Sequence, residues 1–412
     1  MRIERRNPQS GDAGTTDNSV LAHVPPWTPR GGSLLLSRMT LSSQRPLFEI
    51  PPEVTYLDAA AYSLLPRSVR AAGEAGVASK SHPWAVPRSA AEEAGERARA
   101  SVARLLGAGV DDIAIVGSVS HGIGTAARNL PLPAGSRVLR VAGEFPSLAL
   151  VFDRLAGEAG AELDIVPRPA DGDWTRAVLD AIARPGAAPL SVACLTPLHW
   201  SDGAVIDLDR IAPAVHAAGA ALVVDATQAV GVLPVDVQRW RPDFLAFPTY
   251  KWVLGPYSLA FLYAAPHRQG GLPLEENGGN RPDGSFARGA RRYDKGERND
   301  PVALPMAAEG LALVESWGID AVAARLRALT DRLAEGAQAL GLPVAPRALR
   351  APHILGLRVP GGLPPGLMDA LAAQGVHASD RMGGLRVSPH VWSEEADCDR
   401  FLAVLGPLLR AA

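Results

Sequence analysis

The segment DFLAFPTYKW, residues 243–252, joins a short apolar run to a lysine that stands between two aromatic residues. Residues 244–247 are all apolar and predict a buried strand, and the Pro-Thr pair after them predicts a turn. Lys251 follows between Tyr250 and Trp252, and apolar sequence resumes at once. A lysine after a strand is usually solvated, because a buried ammonium costs free energy unless a partner compensates it. The surrounding sequence therefore decides whether this lysine lies in a site.

Six further apolar runs alternate with segments of helical periodicity, such as 208–220, where Ile211 and Val215 share one face. The runs are continuous, whereas strands with one solvated face alternate apolar and polar residues. The pattern predicts an α/β fold around a mostly parallel sheet that is covered on both faces. The seven runs are residues 112–117, 137–143, 163–167, 190–197, 221–226, 243–248 and 259–264.

The chain has 412 residues, enough for two domains, which we place at residues 46–300 and 301–412. Residues 1–45 are rich in Pro, Gly, Ser and Thr without periodicity and predict a mobile tail. The second domain is predicted to be the smaller one, with strands within residues 353–360 and 383–389 and a closing helix from Ser393.

Composition and charge exclude several classes of protein. The formal net charge of −2 gives no electrostatic reason to expect nucleic acid or a membrane surface as a partner. No run approaches the roughly 18 to 20 apolar residues of a membrane span, and we expect no secretory signal. Two cysteines, Cys194 and Cys398, are too few for a disulfide framework or a cysteine metal site, and they fit a cytoplasmic protein.

A carboxylate ends another of the predicted strands, because the run ALVVDATQ (221–228) places Asp225 there and Gln228 three residues later. Open parallel sheets bind ligands at the carboxyl ends of their strands, so Asp225 and Lys251 are predicted to share a crevice. The pair suits pyridoxal 5'-phosphate (PLP): the lysine forms a Schiff base and the carboxylate keeps the pyridine nitrogen protonated. Desolvation between Tyr250 and Trp252 would lower the pKa of the amine. The structural alternative is a plain Asp–Lys ion pair.

A phosphate site is predicted in IVGSVSHGIGTAARNL (115–130), which leads from a strand end into a helix. Backbone amides at a helix N-terminus, together with small hydroxyls such as those of Ser118 and Ser120, bind anions without a lysine. The nearby GEFPSL (143–148) offers Phe145, whose flat ring is able to stack on a pyridine. A core phenylalanine before a proline turn is the alternative.

Taken together, these segments resemble the class V aminotransferase family of PLP enzymes, which includes cysteine desulfurases, kynureninases and isopenicillin N epimerase-like proteins. The resemblance is centred on the blocks that contain Asp225 and Lys251, and it spans nearly everything after about residue 48. Other matching segments are YLDAAAYSLLP (56–66), GSVSHGIGT (117–125), GEFPS (143–147), HWSDGAVIDL (199–208), RYDKGERNDPVALP (292–305) and GGLRVSPHVWSEEADCDRFL (383–402).

The resemblance implies a role for each residue that would hold the cofactor. Lys251 would carry the Schiff base, and Asp225 would face the ring nitrogen. Gln228 would hydrogen-bond the phenolic oxygen. Ser120 and the backbone amide of His121 would hold the phosphate.

Three more roles are implied by the resemblance. Phe145 would be the stacking ring, as in kynureninases, in place of the histidine of desulfurases. Tyr250, which kynureninases also have before the lysine, would reach the phosphate. Arg386 would bind the α-carboxylate of the substrate, because its planar fork makes two parallel hydrogen bonds. The alternative for Arg386 is a surface arginine on a strand of the small domain.

The implied architecture is the type I fold of PLP-dependent transferases, with a seven-stranded, mostly parallel large domain and a smaller C-terminal α+β domain. Such enzymes are homodimers with shared active sites, so the long polar loop 278–300 would lean into the site of the partner. Here the sequence departs from the desulfurase pattern, and Arg298 becomes a candidate contact for phosphate or substrate. We assign side-chain specificity to Trp84, to the pair His199 and Trp200, and to residues 278–298.

The predicted reaction occurs at the α-carbon of a small amino-acid substrate, by transamination or β-elimination. Kynureninase-like hydrolysis and amino-acid epimerisation remain alternatives. A persulfide-forming desulfurase is disfavoured, because residues 376–384, where relatives carry the nucleophilic thiol, contain no cysteine. Cys398 lies beyond Arg386 among carboxylates that would raise the pKa of its thiol.

Functions from other classes fit less well. A binding protein that had lost the chemistry would be expected to lose Lys251 or Asp225, and both are present. A DNA-binding regulator would need a helix-turn-helix ahead of residue 46, where the sequence predicts none. A nicotinamide enzyme would need G-x-G-x-x-G, and GSVSHGIG does not have that spacing.

Overall fold

The computed structural model describes residues 41–87 and 89–410 of the chain. Residues 1–40 of the predicted mobile tail lie outside the described residues. The described part contains twelve strands and eleven α-helices. The strands are β1 Thr55–Tyr56, β2 Ile113–Val116, β3 Arg137–Val141, β4 Glu162–Val166, β5 Leu190–Leu195, β6 Ala221–Asp225, β7 Phe244–Pro248, β8 Ala260–Ala264, β9 Leu355–Leu357, β10 Val376–His377, β11 Ser379–Arg381 and β12 Gly384–Val387.

The α-helices lie between and after these strands. They are α1 Arg67–Ser79, α2 Ala90–Leu106, α3 Val119–Asn129, α4 Pro146–Ala159, α5 Trp174–Ile182, α6 Leu208–Ala217, α7 Val237–Trp240, α8 Ala303–Trp317, α9 Ile319–Ala339, α10 Leu367–Ala373 and α11 Glu395–Arg410. Short 3₁₀ segments are Arg45–Leu47, Pro83–Ala85, Val110–Asp112, Pro266–Arg268, Gly289–Tyr293 and Arg347–Leu349.

A seven-stranded sheet in the order β2-β8-β7-β6-β5-β3-β4 forms the centre of the large domain. All its neighbouring strands are parallel except β8, which runs antiparallel to both β2 and β7. The predicted mostly parallel, seven-stranded sheet is therefore confirmed, and each predicted run contains all or nearly all of one strand.

The central strands β6, β7 and β8 are almost wholly apolar because the two faces of the sheet contact two separate cores, whereas β3 contains two arginines and the edge strand β4 contains a glutamate and an aspartate. In β7, Leu245 and Phe247 belong to one core, whereas Phe244 and Ala246 belong to the other. Successive side chains of a strand point to opposite faces, so a central strand covered by helices on both sides is apolar at nearly every position.

The adjacent strands β6 and β7 end at the same edge of the sheet, because Asp225 pairs with Ala246 in the parallel register. The turn after β7 then brings Lys251 to this edge. The strand β3, which follows β5 in the sheet order, leads through Gly143 into α4, and β2 leads into α3. The elements that the sequence linked to the cofactor thus converge at the carboxyl ends of the parallel strands.

The C-terminal part contains a three-stranded antiparallel sheet in the order β11-β12-β9, against which α9 packs. The N-terminal segment joins this part of the molecule, since β1 pairs in parallel with β10. The amide of Gln44 donates to the carbonyl of Val391, so the last residues of the predicted tail contact the small domain. The helix α8 packs on α1 and α2, and the domain boundary at residue 300 stays a prediction.

None of the helices in the described part of the chain is long and apolar enough to cross a bilayer.

Candidate active site

A cavity of about 220 Å³ opens at the carboxyl ends of β6 and β7. The lining residues all lie between Gly117 and Leu259, and the N-terminal ends of α3 and α4 form one wall; Arg386 of the small domain is not among the lining residues. Most residues that the sequence assigned to the cofactor line this cavity: Ser120, Phe145, Asp225, Gln228, Tyr250 and Lys251.

Lys251 is buried, with 6% of its surface exposed. Its ammonium lies 5.4 Å from the ring centroid of Tyr250 and 5.8 Å from that of Phe145. Burial lowers the pKa of Lys251 to about 8; the charge of Asp225 opposes this shift, and those of Arg386 and Arg381 add to it. A larger fraction of this amine than of an ordinary lysine is therefore neutral near physiological pH, which favours its action as a nucleophile.

The predicted direction of this pKa shift is confirmed, but one predicted neighbour is wrong. The indole of Trp252 points away from the amine and packs against His353 and His390 in the core. Consecutive side chains of the turn point in different directions, so the second aromatic ring near the amine is Phe145.

Asp225 is buried, and burial raises the pKa of its carboxyl, whereas hydrogen bonds from Thr227 and the charge of Lys251 lower it. One carboxylate oxygen accepts a hydrogen bond from the backbone N–H of Thr227 at 2.8 Å. Within the part of the chain that the structure describes, Asp225 forms no direct ion pair with Lys251. Both groups line the same cavity, which stays open between them. The geometry therefore does not show the plain Asp–Lys ion pair that was the alternative.

Gln228 lines the cavity, and its amide is fixed by two partners. Its Oε1 accepts from the indole N–H of Trp252 at 2.7 Å, and its Nε2 donates to the carbonyl of Ala60 at 3.1 Å. The second N–H of the amide has no partner among these contacts. Trp252 therefore positions Gln228.

Ser118 is the N-cap of α3, and its hydroxyl accepts a hydrogen bond from the backbone amide of His121 at 3.0 Å. Ser120 is exposed at the cavity and its hydroxyl contacts that of Ser147 at 2.9 Å. The cavity is lined here by small side chains and helix-terminal amides, a typical anion site. The ring of His121 is directed elsewhere, 3.7 Å from Glu275, and its amide is already engaged as the helix cap.

Phe145 lies at the start of α4 and contacts Trp200 edge to face, with ring centroids 5.4 Å apart. Trp200 lines the cavity and is held by a hydrogen bond from its indole N–H to the carbonyl of Gly143 at 2.8 Å. His199 is buried behind it and stacks on Trp174. Of the two predicted specificity residues, Trp200 therefore lines the cavity, whereas His199 lies behind it and supports it.

Arg386 lies on β12 and is only 2% exposed, so it is not a surface arginine. It donates to the carbonyl of Trp200 at 2.9 Å and lies 3.4 Å from a carboxylate oxygen of Asp58. Burial lowers its pKa to about 10 against the opposing charge of Asp58. Its Nε is buried without a hydrogen-bond partner among the described residues.

Three other predicted contacts are not brought to this cavity. Arg298 donates to the carbonyl of Gly279 at 2.7 Å and lies 3.5 Å from Asp294, within its own loop. Trp84 is 80% exposed and contacts only the ring of His82 among the aromatic residues described. Residues 278–298 do not line the cavity either.

Sequence reasoning missed Glu144, which lines the cavity next to Phe145. One of its oxygens accepts from the backbone N–H of Phe145 at 2.7 Å, and the other, Oε2, is buried without a partner in the described residues. Burial raises the pKa of Glu144 to about 8. A glutamate adjacent to the stacking phenylalanine was visible in GEFPSL, but nothing in the sequence distinguished it from a solvated one.

Lys295 was also missed. Its Cδ lies 3.9 Å from the position that a Cβ would take on Gly117, and its charge lowers the pKa of His121 in addition to the main effect of burial. It adds a cation near the N-terminus of α3.

Both cysteines are buried and unreactive in this fold. Burial raises the pKa of Cys398 to about 12, and the neighbouring Asp397 and Asp399 raise it further. The predicted direction is confirmed, although burial rather than charge is the larger cause. Burial also raises the pKa of Cys194.

Comparison with known proteins agrees with this geometry. A family model described as aminotransferase class V matches residues 55–397. An uncharacterized aminotransferase YcbU of Bacillus subtilis is 26% identical over 73% of this chain and 80% of its own length. A probable cysteine desulfurase of Pyrococcus abyssi is 28% identical over 77% of this chain and 83% of its own. The apo structure of a cysteine desulfurase from Thermococcus onnurineus superposes with a TM-score of 0.78 at 22% identity, covering 90% of this chain and 99% of the other, and therefore shares the fold.

Proposed function

Because the chain belongs to the class V aminotransferase family, whose members are PLP-dependent enzymes, we propose that it transaminates or β-eliminates an amino acid through a Schiff base at Lys251. The observation that carries this proposal is the buried Lys251, with a pKa lowered to about 8, in one cavity with Asp225. A lysine that is only solvated or paired would not need this burial.

The residues around the cavity fit PLP. Asp225 would hold a proton at the pyridine nitrogen, and the ring of Phe145 is placed to cover one face of a flat ligand. Ser120 and the N-terminus of α3 would hold the phosphate, and Gln228 would donate its free N–H to the phenolic oxygen. When bound, PLP supplies an electron-withdrawing ring that stabilises negative charge at the substrate α-carbon.

Side chains of the protein would supply the proton transfer and the substrate binding that the reaction also requires. Lys251 Nζ would move a proton at the substrate α-carbon, because its lowered pKa places it near the optimum for acid–base work at neutral pH. Arg386 would bind the α-carboxylate, and the burial of these groups excludes water from them.

Two observations bear on which reaction the protein catalyses. Burial of both cysteines supports the view that the chain does not form a persulfide on a thiol of its own. Tyr250 and Phe145 occupy the positions that resemble kynureninases, and Tyr250 stacks on Tyr257 with ring centroids 3.9 Å apart. Kynureninase-like hydrolysis is therefore the second candidate, and epimerisation remains an alternative.

We further propose a homodimer with shared active sites in the cytoplasm. The rings of Tyr62 and Tyr257 are stacked on each other, are both about half exposed and lie beside the cavity, an arrangement that a second subunit would cover. Free, buried cysteines are typical of a reducing compartment.

The test exploits the lysine content, because the chain has only Lys80, Lys251 and Lys295. Borohydride reduction of the PLP-loaded protein, followed by peptide mass spectrometry, should place the cofactor on Lys251. A Lys251→Ala variant should lose this adduct, and the exposed Lys80→Ala control should retain it. An adduct on another lysine would refute the assignment.

A panel of amino acids added to the holoenzyme then distinguishes the reactions. Formation of a keto acid with the pyridoxamine form of the cofactor indicates transamination, and pyruvate with ammonia indicates elimination. Release of anthranilate from L-kynurenine would favour the second candidate instead.

A further inference from the structure

A second arginine lies on the same face of the small-domain sheet as Arg386. In the antiparallel pair of β11 and β12, Ser379 is opposite Arg386 and Arg381 is opposite Gly384. Directly opposite residues project to the same face, and so do residues two apart in one strand. Arg381 and Arg386 therefore lie on the same face of the sheet, with one cross-strand pair of residues between them.

The hairpin turn that follows Arg381 is docked at the rim of the cavity. A Cβ on Gly143 would lie only 2.7 Å from Cε of Met382, so the methionine packs directly on that glycine. Gly143 immediately precedes Glu144 and Phe145, which line the cavity. Met382 has a φ of 53°, a conformation that costs free energy in a residue other than glycine, asparagine or aspartate and so needs such packing to hold it.

The two arginines differ in how their charges are compensated. Asp58 lies 3.4 Å from Arg386 and also accepts a hydrogen bond from Ser379 at 2.7 Å. Arg381 donates to the backbone carbonyl of Asp380 at 2.7 Å and pairs with no carboxylate in residues 41–87 and 89–410. Its charge nevertheless acts on Lys251, where burial is the larger influence on the pKa.

We propose that Arg381 binds the side-chain carboxylate of a dicarboxylic amino acid whose α-carboxylate is held by Arg386. This inference rests on the proposed function and names its substrate class. A half-buried guanidinium that pairs with no carboxylate in the described residues, and that shares a sheet face with a second arginine, is electrostatically unfavourable until an anion enters. A guanidinium also discriminates sharply, because its fork matches a carboxylate and finds no partner on a neutral side chain.

The test is a comparison of the holoenzyme with Arg381→Gln, Arg381→Lys and, as a matched control, Arg358→Gln at an exposed arginine of the same domain. Isothermal titration calorimetry with glutarate and with butyrate measures binding without turnover. We expect glutarate binding to weaken by about 10- to 100-fold in Arg381→Gln, the loss of one charge-assisted contact, and by less in Arg381→Lys. Butyrate binding in all variants, and both ligands in the Arg358→Gln control, should stay within about twofold of wild type.

The same variants are then compared by kcat/KM for glutamate and aspartate against glutamine, asparagine and L-kynurenine. Preference for the acidic substrates in the wild type, lost in Arg381→Gln, supports the inference. Equal glutarate binding in wild type and Arg381→Gln, or a wild-type preference for a neutral side chain, overturns it. Such a result leaves the proposed function intact as long as borohydride reduction still places PLP on Lys251. Absence of that adduct would refute the proposed function, and calorimetry would then still decide whether Arg381 binds a carboxylate.

Discussion

At the scale of single residues, the site is built by removing charges from water. Burial lowers the pKa of Lys251 to about 8 and raises that of Glu144 to the same value. Burial also raises the pKa of Asp225, but Thr227 and Lys251 oppose this shift. The lysine and Glu144 are thereby biased towards their neutral forms, while Asp225 keeps hydrogen bonds that favour its carboxylate. Burial thus acts on both acids of the cavity, and hydrogen bonds from Thr227 oppose it at Asp225.

Glu144→Gln tests this arrangement through the pH dependence of stability. Because the folded-state pKa of about 8 exceeds the ordinary value of 4.5, the folded chain holds a proton that the unfolded chain releases between these pH values. Glu144 therefore makes the free energy of unfolding fall as pH rises through this window, by at most about 1.4 kcal/mol per pH unit. Denaturant titrations of the cofactor-free protein from pH 5 to 8 should show the variant gaining on wild type as pH rises. A constant difference would mean that Glu144 titrates normally.

At the scale of secondary structure, the seven strands of the large sheet were predictable because each lies in a short, mostly apolar run, although β3 contains two arginines and β4 two acidic residues. The strands β1, β10 and β11 were not, since two or three residues carry no periodicity and depend on partners distant in sequence. The antiparallel direction of β8 could not be predicted either, because β8 is apolar and fully buried in the same way as the strands β2 and β7 on either side of it.

The residues of the site also divide into those that the sequence predicts and those that it does not. Asp225 and Lys251 were predictable because strand ends of a parallel sheet converge. The direction of Trp252 and the burial of Glu144 depend on side-chain packing between remote segments, and the predicted contact of Arg298 with a site stays a prediction. A single sequence does not record that packing.

The helix α8 fixes the turn after Lys251 by close contact at Gly310. A Cβ there would lie 2.5 Å from the carbonyl oxygen of Val253, which is too close for any side chain. Gly310→Ala should lower the free energy of unfolding by about 1–2 kcal/mol, because overpacking costs more than the roughly 1 kcal/mol that alanine gains in a helix. Gly157→Ala in α4, where the Cβ meets nothing within 4 Å, is the control and should be neutral or stabilising. Guanidinium unfolding measures both, and equal stabilisation by both changes would contradict the close contact.

At the scale of the whole molecule, the described N-terminal segment belongs with the C-terminal domain. The strand β1 pairs with β10, and Asp58 bridges to Ser388 beside the site. Asp58 also pairs with Arg386, so the described N-terminal segment also compensates the charge of the arginine that we propose as the substrate-binding residue. Attachment of this segment and the orientation of Arg386 are therefore expected to be coupled.

Asp397 is the polar anchor of that attachment. Its carboxylate accepts from Arg45 at 3.0 Å, from the hydroxyl of Thr55 at 3.1 Å and from the amide of Glu394 at 2.9 Å. Asp397→Ala should destabilise the protein by about 2–4 kcal/mol, because it leaves a partly buried arginine and two further donors without their acceptor.

Asp399→Ala in the same helix is the matched control, since its ion pair with Arg332 is about half exposed on both sides and should contribute little. Hydrogen exchange separates local from global effects. In the Asp397 variant, β1 and β10 should lose protection before β5 and β6 do, because the central sheet does not depend on this anchor. Substrate-carboxylate affinity should fall with them, since Asp58 follows β1 and orients Arg386. Uniform loss of protection across both sheets would show instead that the two ends of the chain and the central sheet unfold as one unit.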